Sequence, residues 1–184
     1  GQPSRIVVRK EVEQAHVVVG GPHLAALDPL GPVSSVLLDV LGGGMSSRLF
    51  QEIRERRGLA YSTFAFGTAY TGIGNFGLYA SCSPYKLTEV ENLLWGELEK
   101  LAATGPTQAE MTRTKGQERG GLQLGLAEPT ARMSRLANAD LRGRLIPTPD
   151  ALARIDAVQA EDVQALAARM LEVPRHTVVV TSRS

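Results

Sequence analysis

Apolar positions along this 184-residue chain recur first in steps of two and later in steps of three and four. Ile6-Val7-Val8 and His16 to Val19 are β-branched runs separated by Glu11 to Gln14, which predicts a hairpin or paired strands. Pro29 to Pro32 opens a stretch with Val33, Val36, Leu37 and Val40 at i, i+3, i+4 and i+7, the buried stripe of a helix, and Gly42, Gly43 and Gly44 end it. A charged helix is expected over 46–57, with Met45, Leu49 and Ile53 as its apolar positions, Ser46 and Ser47 as caps and Gly58 as its stop. Two period-two stretches, near 60–70 and 73–81, flank Thr71-Gly72, which reads as a hairpin turn. The remainder reads as mainly helical. Val90, Leu94, Leu98 and Leu101 line one side of 87–103, and Thr107 with Glu110 forms a capping box for the next helix. Further helices are expected from Pro129 through Leu141, over 150–158 and over 161–171, before a closing strand at 177–181. Strands first, helices later and one returning strand imply an α+β fold: a mostly antiparallel sheet of about five strands covered by helices. Gly116, Gly120, Gly121 and Gly125 sit inside a helical stretch, where each costs about 0.8–1 kcal/mol against alanine. They are read as close packing on the sheet rather than a break.

Composition narrows the partners. With 20 basic against 19 acidic residues, the net charge of +1 supplies no field for nucleic acid or a membrane surface, and 5% aromatics offers little for base stacking. The single cysteine, Cys82, cannot form an internal disulfide and fits a reducing compartment, so a cytoplasmic location is expected. No apolar run reaches the roughly 18–20 residues that span a bilayer. Residues 1–184 read as one domain, and the N-terminal GQPSR as a cut at a domain boundary in a longer polypeptide.

Several chemistries fail on spacing. The glycine run follows a helix rather than a strand and lacks GxGxxG, and no GxxxxGK[ST] occurs, so a phosphate cradle is not expected. His16, His23 and His176 never fall at i, i+4, and neither HExxH, HxxEH nor a cysteine cluster is present, so no metal site is expected in this chain. His16 reads as a satisfied strand histidine. Cys82 reads as a packed, inert thiol. Ser46, Ser47 and Ser62 have no histidine nearby in sequence, although spacing alone never excludes a triad.

The helix after the glycines is different. Arg48, Glu52 and Arg56 at i, i+4 steps read as a solvated ion-pair row. Arg54 is offset from that row toward Ser47 and Phe50, with no obvious acidic partner in the helix. Tyr61, seven residues on, opens a strand in which Tyr61, Thr63 and Ala65 alternate with Ser62, Phe64 and Phe66. If Phe64 and Phe66 enter the core, Tyr61 points to the opposite face. A guanidinium and a phenol on one side of a cleft would then be two strong donors for a carbonyl oxygen.

The segment LGGGMSSRLFQEIRERRGLAYS (Leu41 to Ser62) resembles the hallmark of the C-terminal domain in the insulinase/pitrilysin superfamily of zinc peptidases. It is nearest to the bacterial processing-peptidase-like branch that also contains the mitochondrial processing peptidase. The resemblance continues through GNFGLYASCSP, ELEKLAATGPTQAEMTRTKGQ, SRLANADLRGRLIP and IDAVQAEDVQALAARML, covering nearly the whole chain. It implies a half-unit, zinc-free in itself, paired with a zinc-bearing N-terminal domain or partner subunit carrying HxxEH. Two such domains or chains, a homodimer among the arrangements, would enclose an extended peptide or unfolded protein. The resemblance further implies that Arg54 and Tyr61 face the zinc, bind the substrate backbone and stabilise the oxyanion. It also implies that Gly42, Gly43 and Gly44 form a short loop influencing substrate entry. The alternative is a noncatalytic peptide-binding or structural subunit that has inherited the fold.

Overall fold

The computed structural model describes residues 2–182. Five strands form one sheet: β1 (Ser4–Arg9), β2 (Ala15–His23), β3 (Ala60–Ala69), β4 (Gly74–Cys82) and β5 (His176–Thr181). The spatial order is β1-β5-β2-β4-β3, antiparallel except for the β1–β5 pair. Helices α1 (Gly31–Gly42), α2 (Leu87–Thr104), α3 (Gln108–Ala127), α4 (Pro129–Leu141), α5 (Thr148–Ala157) and α6 (Ala160–Glu172) complete it. The expected α+β class, with a mostly antiparallel sheet, is the observed one.

Burial follows strand alternation. Ala15, Val17 and Val19 of β2, Phe76, Leu78, Ala80 and Cys82 of β4, and Val179 of β5 join the apolar side chains of α1, α2 and α6 in one core. The opposite residues, among them His16, Val18, Tyr79 and Val178, occupy a face that no helix covers. At the two-residue turn the Tyr70 amide donates to the Ile73 carbonyl, as the Thr71-Gly72 pair predicts. Both reciprocal hydrogen bonds of the Thr107–Glu110 capping box are made. No helix among the described residues is long and apolar enough to cross a membrane.

Four expectations change. β1 and β2 are not a hairpin: β5 inserts between them, because the closing β-branched strand satisfies both edges at once. The segment after the glycines is a single α-type turn at Arg48–Leu49 followed by a π-helix, Phe50–Arg56. Phe64 and Phe66 lie on the uncovered face, 41% and 37% exposed, while Thr63 and Ala65 face α1. A β-bulge explains this: Ala60 pairs with Cys82 and Ser62 with Ser81, so Tyr61 is an extra residue and the alternation downstream reverses. Finally, added Cβ atoms at Gly116, Gly120 and Gly121 would meet nothing, so those glycines are not demanded by packing, and nothing in the structure explains them.

Small residues on the α1 side of β3 follow from the close approach of α1. A Cβ on Gly42 would lie 2.1 Å from the Ala65 nitrogen and 2.6 Å from the Phe64 carbonyl carbon. Gly42 is therefore a contact residue rather than a hinge. Gly42→Ala should lower the urea midpoint, costing about 1–3 kcal/mol, whereas Gly116→Ala should raise it by about 0.5–1 kcal/mol. Equal midpoints for Gly42→Ala and the parent chain would contradict this packing.

Candidate functional site

The turn Gly43 to Ser47 launches the π-helix. The Gly44 backbone takes φ 144°, which favours glycine, and its carbonyl accepts from Ser47 Oγ at 2.6 Å. Met45 is 75% exposed instead of packed, but Leu49 and Ile53 are fully buried. At the far end the Leu59 amide donates to the Ile53 carbonyl and Gly58 takes φ 61°, turning the chain directly into β3. π-helical turns and β-bulges are each found often beside functional sites.

Four arginines lie on this segment, and three grip carboxylates. Arg48 donates from Nε and Nη2 to the two oxygens of Glu110 at 2.7 and 2.9 Å, and from Nη2 to the Gly105 carbonyl at 2.9 Å. Its partner therefore lies on α3, not in the expected Arg48–Glu52–Arg56 row. Glu52, itself buried, accepts from Arg56 and Arg57 at 2.8 and 2.9 Å. Arg54 has no carboxylate partner among the described residues. Its Cζ instead lies 4.8 Å from the centroid of the Phe50 ring and 5.2 Å from that of Tyr61. Tyr61 is 70% exposed. The structure thus brings Arg54 and Tyr61 together, with both donor groups uncommitted to the fold. The sequence places Arg54 toward Phe50 at i, i+4 but gives Phe50 no part in the site; the ring contact is what the structure adds.

The glycines divide by role. Gly42 packs on β3, and a Cβ on Gly43 would press within 2.6 Å of Asp39, so only Gly44 relies on backbone freedom. Asp39 also hydrogen-bonds Glu118 of α3, which takes a further hydrogen bond from Ser35. These groups line a cavity of about 690 Å³ between α1, α3 and α5, with Arg154 at its edge. Elsewhere His16 Nδ1 lies 2.8 Å from the Tyr79 hydroxyl on the uncovered face. Burial pushes the Cys82 thiol up to about 11, the mark of an unreactive sulfur. No group of three or more His, Cys, Asp or Glu among the described residues is arranged to hold a metal ion.

The chain and its α+β fold have known counterparts. The family described as the peptidase M16 inactive domain matches residues 1–118, and the chain belongs to it. A Streptomyces coelicolor protein named as an uncharacterized zinc protease is 42% identical over 166 residues, 90% of this chain and 36% of that protein. A protease from Helicobacter pylori superposes with a TM-score of 0.91 at 21% identity, over 98% of this chain and 44% of its own. A peptidase M16 inactive domain from Pseudomonas fluorescens gives a TM-score of 0.90 at 20% identity, covering 100% of this chain and 44% of that one. The chain therefore spans well under half the length of these relatives.

Two carboxyls give the site's mounting opposite pH responses. Burial pushes Glu110 up, but the Arg48 and Thr107 hydrogen bonds and the Arg48 charge outweigh it, leaving its pKa at about 2 against 4.5. Its stabilisation is therefore complete above pH 4.5 and is lost as the pH falls toward 2. Burial, then the charge and hydrogen bond of Glu118, raise Asp39 from 3.8 to about 6, so the fold gains stability as the pH falls through that window. Glu110→Gln should cost about 2–3 kcal/mol at neutral pH, a loss that shrinks in acid. Asp39→Asn should be at least as stable as the parent at neutral pH, with the gap closing below about 6. Chemical denaturation across this range checks both; pH-independent differences would contradict the assignments.

Proposed function

We propose that this chain is the zinc-free half of a zinc endopeptidase, holding extended peptide and donating hydrogen bonds to the scissile carbonyl from Arg54 and Tyr61. The observation that carries the reading is Arg54: alone among its neighbouring arginines it has no acid, and it stands over Tyr61 at the bulge. Membership of the peptidase M16 inactive-domain family supports it, as do relatives named as zinc proteases.

Zinc would sit on another domain of the same polypeptide or on a partner subunit, a second copy of this chain being one arrangement, and would supply Lewis-acid polarisation. The work of this chain is complementary. When a peptide carbonyl becomes tetrahedral its oxygen gains charge, and a guanidinium N–H and a phenol O–H fixed beforehand strengthen their hydrogen bonds to it at that moment. The uncovered sheet face supports an extended partner. There Phe66, Tyr70, Ile73 and Val178 border a groove of about 400 Å³ floored by Gly20. The location of the protein, taken as cytoplasmic, belongs to the same proposal.

In the enzyme assembled with its zinc-bearing half, Arg54→Ala or Tyr61→Phe should lower peptide turnover roughly 10²–10³-fold, with zinc content unchanged by elemental analysis. Unchanged turnover would remove both residues from the chemistry. An assembled protein without zinc or proteolysis would make the chain a structural subunit.

A further inference from the structure

Phe50 carries more than its place in the family motif explains. It is only half-buried at the first position of the π-helix, so its ring is not needed to fill the core that Leu49 and Ile53 fill. Instead the ring underlies the Arg54 side chain, with Cζ 4.8 Å from its centroid. A cation over a π-face is attracted to it, and a guanidinium so engaged keeps its N–H edge available. Tyr61 contacts the same guanidinium from β3, at 5.2 Å. Tyr61 is also the residue proposed to donate to the substrate, and it projects from a bulge, so it is a poor fixed support. Phe50 is held by the helix backbone two residues from the Arg48 anchor. Among the described residues the Arg54 side chain makes no hydrogen bond or ion pair that would brace it otherwise.

We infer that Phe50 is a positioning residue: its ring is the platform that sets the Arg54 guanidinium in place for the carbonyl oxygen. This rests on the reading of Arg54 given above. The fixed direction of the arginine matters most when charge develops, so the platform acts on kcat rather than on KM.

The test uses the assembled enzyme and an internally quenched peptide that it cleaves. Phe50→Leu keeps apolar bulk without the π-face and should lower kcat roughly three- to tenfold, with KM nearly unchanged. Phe50→Tyr and Phe50→Trp restore the aromatic face and should recover most of the loss. In an Arg54→Ala background Phe50→Leu should add nothing, because the platform then has no load. Parental kcat for Phe50→Leu, while Arg54→Ala is impaired, would overturn the inference and leave the role of Arg54 standing. So would equal losses for Phe50→Leu and Phe50→Tyr, or losses that multiply in the double variant. A fully active Arg54→Ala enzyme would overturn the donor reading and the platform together. Thermal midpoints matching the parent show that the Phe50 variants remain folded.

Discussion

A sheet buried on one face only imposes alternation on every strand, and most of this molecule obeys it. Val17 and Val19 face the helices while His16 and Val18 do not, and β4 and β5 repeat the pattern in register. β3 cannot comply from end to end. The C-terminus of α1 approaches so closely that Gly42 touches the β3 backbone, leaving room there only for Thr63, Ala65 and Gly67. Placing Phe64 and Phe66 on the other side requires one extra residue in the strand. That residue is Tyr61, and the bulge that repairs the packing also sets the phenol outside it.

The π-helix answers a related demand. Leu49 and Ile53 must be buried, Glu52 must reach Arg56 and Arg57, and Arg48 must reach across to Glu110. Meeting all three fixes both ends of the segment, and Arg54 is what is left over. Its charge is balanced by rings instead of an acid, so nothing in the fold has to be broken for it to engage a ligand. Packing needs and donor presentation are thus met by the same two irregularities, one in a helix and one in a strand.

The sequence foretold this unevenly. Helix α2, the Thr107–Glu110 box and the Thr71-Gly72 turn were legible because each depends on residues close together in the chain. Arg54 was already marked by the lack of an acidic partner at i±3 or i±4. What could not be read were features settled by distant partners. The place of β5 between β1 and β2 depends on residues about 156 to 172 positions apart. The Arg48–Glu110 pair joins two helices, and the β3 bulge answers a glycine on α1. A local periodicity has no access to such constraints. It therefore allowed Phe64 and Phe66 into the core and offered Arg48 the neighbouring Glu52, where α3 supplies Glu110 instead.

Arg54 as a prepared, unpaired donor is the centre of this picture, and one structure would test it most directly: the assembled enzyme with a phosphinic peptide bound as a mimic of the tetrahedral oxyanion. The expected result is an Arg54 N–H within about 3 Å of a phosphinyl oxygen, its guanidinium still over the Phe50 ring and Tyr61 beside it. A bound inhibitor with Arg54 turned away, or paired to an acid from the other half, would contradict it.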